Sequence, residues 1–129
     1  DGRLIVDLKT TEDASPAGFR KSIGAFRYHV QSSWYLDGVQ AATGNRPEQF
    51  LFVCVEKKPP YAVAVYAAAP VIVTIGAETA ARDLDVLATC KQAGAWPGYS
   101  DQIEPISLPG WMMPRPDGSM QQPPEIETY

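Results

Sequence analysis

Arg3-Leu4-Ile5-Val6-Asp7-Leu8-Lys9-Thr10 is rich in aliphatic and β-branched residues and follows Asp1-Gly2, a dipeptide suited to a tight turn. The stretch predicts a strand leaving a hairpin, with its partner strand expected ahead of residue 1. In a strand, residues i and i+2 share a face. Asp7 and Lys9 therefore project together, and Leu8 is expected to turn toward the core. A carboxylate beside an ammonium is, at its simplest, a surface ion pair. The same pair has chemistry open to it. Asp7 offers oxygen ligands to a hard cation such as Mg²⁺. Lys9 can hold and polarise a water beside a phosphate, where metal and ammonium together stabilise developing charge.

Outward from this strand, Ser15-Pro16 is a helix start, a capping hydroxyl followed by the ring that fits the first helical position. A helical pattern runs from there to Thr43, where Gly44-Asn45 stops it, and Gly24 is a place where it bends or splits. Phe19, Ile23, Phe26, Val30 and Trp34 recur at helical spacing and predict one core stripe. About a quarter-turn away lies a second face. Gln31 and Tyr35 are four apart and stack along the helix, with Tyr28 joining at i−3. Local hydrogen bonds at a helix boundary would account for a Gln and a Tyr so placed; a functional site would also use them.

Residues 49–56 (Gln-Phe-Leu-Phe-Val-Cys-Val-Glu) form an apolar run of strand length, expected to be buried on both faces. Lys57-Lys58-Pro59-Pro60 is a turn, and residues 61–68 predict a second strand antiparallel to the first. Residues 71–75 are β-branched yet lead into a helix, and their state is left open. A helix is expected over 77–93, with Ala80, Leu84, Leu87 and Ala88 inward and Gly94 as its stop. Residues 103–108 suggest a short edge strand. From Pro114 the chain is rich in Pro, Gln and Glu and is expected to be disordered. The order strand, helix, strand, strand, helix, edge strand describes an α/β core, a mixed sheet flanked by helices.

The 129 residues suffice for one domain, with 45% hydrophobic and 20% charged residues. No apolar run is long enough to span a membrane and no secretory leader opens the chain, so a cytoplasmic protein is expected. Cys54 and Cys90 form no C-x-x-C pair and stand apart from His29, which excludes a four-ligand zinc site; both are read as buried, reduced hydrophobes. The net charge is −4. Residues 97–129 hold one basic residue, Arg115, against five acidic ones, so that segment alone supplies −4 and residues 1–96 are balanced.

Asp-x-Lys at a strand end, followed some twenty residues later by Gln-x-x-x-Tyr on a helix, resembles the motif set of the RecB-type nucleases of the PD-(D/E)XK superfamily. The local match is closer still to the RecE-like (exodeoxyribonuclease VIII) branch. Residues 5–11, Phe19, Tyr28-His29-Val30-Gln31, Tyr35-Leu36-Asp37-Gly38, residues 52–61, Trp96-Pro97-Gly98-Tyr99 and Leu108-Pro109-Gly110-Trp111 carry it. The resemblance covers roughly residues 3–113.

It implies a nuclease-like domain over 1–113 that lacks an upstream strand and helix, and a tail over 114–129. It assigns Asp7 and the Leu8 carbonyl to metal binding, Lys9 to catalysis, and Gln31 and Tyr35 to the DNA backbone or to orienting the site. The implied cofactor is Mg²⁺, with Mn²⁺ as a substitute. The implied activity is 5′-to-3′ degradation of linear double-stranded DNA from its ends, in recombination or phage DNA metabolism. An oligomer of identical chains and a single-strand annealing partner are implied with it. The superfamily's other metal-binding Asp has no counterpart ahead of Asp7, so the chain alone is expected to be inactive and the gene product longer. The alternative is a non-catalytic nucleic-acid-binding or protein-interaction module on a decayed nuclease fold.

Other residues have plainer expectations. Glu56 is expected to make a structural ion pair or turn contact, and His29 to sit at a helix boundary. Arg20, Lys21 and Arg27 are expected either on a solvated face or against phosphate. Lys57 and Lys58 are read as turn residues, and Trp96 and Tyr99 as packing anchors.

Overall fold

The computed structural model describes residues 2–119. The chain divides into two compact units, Asp1–Ala93 and Gly94–Tyr129. In the first, β1 (Leu4–Thr11) is followed by α1 (Pro16–Ala25), α2 (Tyr28–Thr43), β2 (Gln49–Glu56), β3 (Val63–Ala67) and α3 (Pro70–Ala93). The sheet order is β1-β2-β3. β1 pairs with β2 in parallel, Asp7 opposite Phe52 and Lys9 opposite Cys54, and β2 pairs with β3 antiparallel. The two helices between β1 and β2 are the crossover that a parallel pair requires. This is the expected mixed α/β sheet flanked by helices.

Ser15 caps α1 as its residue type suggests, its hydroxyl accepting the Gly18 N–H, with Pro16 at the first helical position. The long helix does split, three residues beyond Gly24, where Arg27 adopts a left-handed conformation (φ 56). That residue resets the helical phase. Phe19 stays buried, but Phe26 and Trp34 become exposed, and α2 buries Ser32, Ser33 and Leu36 instead. The expected single stripe from Phe19 to Trp34 is therefore two stripes in different phase. α2 ends where expected, with Gly44 left-handed and its N–H bonded to the Gln40 carbonyl.

The core is aromatic. Phe19 packs edge-on against Phe52 at 5.4 Å and stacks on Tyr66 at 5.6 Å, while Phe50 lies 5.0 Å from Phe52. Alternation along β2 buries Phe50, Phe52 and Cys54 and leaves Leu51, Val53 and Val55 half-buried. On the same outer face Val6, Leu8, Val63 and Val65 are exposed. Among the described residues helices cover one face of the sheet, so β2 is not buried on both faces as its apolar run suggested.

Two corrections concern α3. It begins at Pro70, taking in residues 71–75, because Pro70 fits the first helical position and Val73 packs on the core; packing outweighs β-branched propensity. Leu84, Leu87 and Ala88 are exposed, not inward. α2 meets α3 at Gly76, and Arg27, just ahead of α2, pairs with Asp83. Residues 81–89 of α3 are exposed.

In the second unit, residues 103–108 form no strand; Ile103 and Ile106 are fully exposed. Pro105 removes a ladder donor in the middle of that stretch, and among the described residues no strand pairs with it. A single 3₁₀ turn follows at Gly110–Met112. The expected tail falls partly here, in a turn closed by Arg115 and Ser119, while its remainder, 120–129, lies outside the described residues. No helix of the described residues is long and apolar enough to cross a membrane.

Candidate active site

Strand alternation puts Ile5, Asp7, Lys9 and Thr11 on the helix-covered face of β1. Leu8 is on the other face, 68% exposed, so the expected orientation is reversed. Alternation fixes which residues share a face, but which face the helices cover is a tertiary choice. Asp7 and Lys9 are consequently not a surface pair. Their side chains are 17% and 14% exposed, and the ammonium lies 2.8 Å from Asp7 Oδ2.

α2 lies over this strand and contributes the remaining contacts. Lys9 Nζ donates to Gln31 Oε1 at 2.7 Å and lies 4.2 Å from the Tyr28 ring centroid. Tyr28 in turn is wedged among Phe19, Phe26 and Phe52. Of the residues singled out in the sequence, Asp7, Lys9 and Gln31 come together. Tyr35 does not join them; it sits one turn along, 45% exposed, its ring against Phe50. The Tyr28 contact was not anticipated, although its position three residues before Gln31 was the available signal.

Asp7 Oδ2 is buried yet accepts no hydrogen bond; its contact with Lys9 is a Coulombic one without good donor alignment. A buried carboxylate oxygen with unused lone pairs is suited to a cation. Successive residues of a strand present their carbonyls to opposite edges. Arg3 and Thr11 direct theirs to the β2 side, accepting from Glu48 and Lys57 N–H at 2.8 and 3.0 Å. The regular register between them turns the Leu8 carbonyl to the free edge of β1. Adjacent residues thus supply two hard-oxygen donors, a carboxylate oxygen and a carbonyl that faces away from β2. Among the described residues no group of three or more His, Cys, Asp or Glu side chains converges on a common point.

The surrounding residues are structural. Glu56 Oε1 accepts the Ala14 N–H at 2.9 Å, and the Tyr66 hydroxyl donates to the Ala14 carbonyl at 2.7 Å, so β2 and β3 pin the loop that follows β1. Glu12 bridges Lys57 and Lys58, each at 3.3 Å, and these lysines, Lys57 foremost, hold its carboxyl below the ordinary range. His29 sits at the helix boundary, Nδ1 3.3 Å from the Ile23 carbonyl. Arg27 is paired with Asp83 on α3, whose carboxyl it holds low, and Arg20 is exposed. Cys54 is buried as expected and its thiol is pushed up to about 11, chiefly by burial and then by the nearby Asp7 charge. Cys90 is only half-buried. Trp96 and Tyr99 are exposed and anchor no core.

The fold is shared with a crystal structure from Eubacterium rectale described as "Putative exonuclease". The two superpose with a TM-score of 0.61 at 18% identity, over 82% of this chain and 46% of the other. The chain thus spans about half the length of that protein. No curated protein matches the chain in sequence. Residues 1–109 match the family described as "PDDEXK-like domain of unknown function (DUF3799)". Since the match takes in most of the chain, including β1, α2 and all three strands, the chain belongs to this PDDEXK-like family.

Proposed function

We propose that the chain carries the catalytic strand of a Mg²⁺-dependent deoxyribonuclease, an exonuclease of the RecE-like kind acting on ends of linear duplex DNA. The observation behind this reading is the buried Asp7–Lys9–Gln31 group, whose carboxylate oxygen has unused acceptor capacity beside an outward carbonyl. Asp7 and Leu8 would hold the ion. When bound, Mg²⁺ (or Mn²⁺) offsets phosphate charge and lowers the pKa of its water. Lys9 presents its ammonium to a phosphate oxygen and the attacking water. Gln31 and Asp7 fix that ammonium, so Gln31 acts through Lys9. Tyr35 offers its half-exposed ring and hydroxyl to the DNA backbone. A single carboxylate leaves most of the ion's shell to water, phosphate and a further carboxylate from beyond the described residues. The 5′-to-3′ polarity, the annealing partner, the ring-like oligomer and the cytoplasmic setting rest on the RecE-like resemblance of residues 5–11, 28–38 and 52–61.

End-labelled linear and closed circular duplexes, incubated with the complete gene product and Mg²⁺, test the proposal. Linear DNA should disappear from its 5′ ends and circles persist. Lys9→Ala should slow cleavage by about 10²–10³-fold, the usual scale for losing one group that stabilises transition-state charge. DNA binding without any cleavage would instead favour a second reading, a non-catalytic module. The lone carboxylate of the described site is the observation on its side.

A further inference from the structure

Lys9 is held on a third side by a group that neither the Asp-x-Lys nor the Gln-x-x-x-Tyr pattern contains. We propose that Tyr28 is a positioning residue whose ring face fixes the Lys9 ammonium for the reaction, which rests on the nuclease reading above. A lysine side chain has four rotatable carbons and about 2 kcal/mol of rotamer entropy to lose. Asp7 at 2.8 Å and Gln31 at 2.7 Å constrain the ammonium from two directions. The Tyr28 ring is a third contact, its centroid at 4.2 Å, well within the range where a ring quadrupole attracts a cation.

The ring is itself packed against other aromatic rings. It lies 6.0 Å from Phe19, 5.6 Å from Phe26 and 6.2 Å from Phe52. Its place follows from the left-handed Arg27, which starts α2 at Tyr28 and so puts Tyr28 and Gln31 one turn apart above Lys9. The pocket is largely dehydrated, Lys9 being 14% exposed, which strengthens the attraction relative to a surface pair. Positioning of this kind affects turnover, because the ammonium must already stand where phosphate charge develops.

The test compares Tyr28→Phe and Tyr28→Leu by two readouts. In the 129-residue chain, ring current from Tyr28 should move the Lys9 ε-methylene proton resonances upfield. Tyr28→Phe should retain the displacement and Tyr28→Leu abolish it, with other core resonances in place. In the complete gene product, Tyr28→Leu should lower kcat about thirtyfold, the kinetic equivalent of a desolvated cation–π contact, with KM little changed and Tyr28→Phe near wild type. An unshifted Lys9 in the wild type, or equal shifts in the Leu variant, overturns the placement. Unchanged kcat in Tyr28→Leu, with the resonance shift lost, overturns the positioning role. A shifted Lys9 in a wild-type protein that cleaves no DNA overturns the nuclease reading and with it the role, while the contact itself stands.

Discussion

Lys9 and Asp7 depend on each other, and on what α2 brings over them. An exposed Lys–Asp pair contributes little, about 0–1 kcal/mol. This one is mostly buried, so removing either partner leaves a charge with one neighbour fewer in a dry site, a loss on the order of 3–5 kcal/mol for a fully buried pair and less here. The strand spacing made Asp7 and Lys9 legible, and the helical spacing made Gln31 legible. Tyr35 was legible only as a neighbour of Gln31 along the helix; four residues is one turn, and Lys9 reaches only one turn. Tyr28 was visible on the same face, but a period gives direction and not depth, so its contact with the ammonium was not. Cys54 yields a separate expectation. Its thiol is pushed up to about 11, against an ordinary value of 9.0, because burial and then the Asp7 charge disfavour the thiolate. At pH 8 iodoacetamide should label the half-buried Cys90 well ahead of Cys54, as mass spectrometry of peptides will show. The raised value also means that the neutral thiol's contribution to stability is complete below about pH 9 and is lost as the pH climbs toward 11. Equal labelling of both cysteines in the folded chain would contradict this account of the core.

At the scale of elements, the crossing of α2 and α3 depends on Gly76. A Cβ built there would lie 2.0 Å from the His29 carbonyl oxygen and 3.2 Å from Ser33 Cβ. The helices approach so closely because Gly76 on one side faces the His29 backbone and the small, buried Ser33 on the other. Backbone cannot retreat as a flexible side chain does, so Gly76→Ala should force the helices apart. The better helix propensity of Ala offsets at most about 1 kcal/mol of a cost of about 1–3 kcal/mol for overpacking. A lower urea midpoint at unchanged m value is the expected outcome, and a raised midpoint would show that the crossing is looser than described. Ser15→Ala, which removes the acceptor for the Gly18 N–H, should cost about 1 kcal/mol in the same assay. Helix ends were legible because capping chemistry is local: Ser15-Pro16 and Gly44 mark their own positions. The left-handed Arg27 carried no such mark, and with it went the phase of every residue from 28 to 43. The start of α3 was hidden for the opposite reason, since a β-branched run states a local preference that contact with the core overrides.

For the molecule as a whole, alternating elements made a mixed α/β sheet legible, and the parallel β1–β2 pair with its helical crossover follows from that order. What sequence could not convey was coverage. In the described structure the helices lie on one face, which makes the Asp7/Lys9 face the interior one and leaves Leu4, Val6 and Leu8 outward. That single choice turns a motif resembling a surface ion pair into a dehydrated site. The distribution of charge agrees with it, since the acidity lies in residues 97–129 and the unit that holds the site is balanced. Asp7 and Leu8 are proposed to hold a divalent cation beside Lys9. Titrating Mn²⁺ into the ¹⁵N-labelled 129-residue chain tests it directly, because a paramagnetic ion broadens the amides nearest to it whether or not DNA is cleaved. Broadening centred on residues 7–9 and lost in Asp7→Asn is the expected result. Broadening elsewhere, or the same pattern in Asp7→Asn, would contradict it.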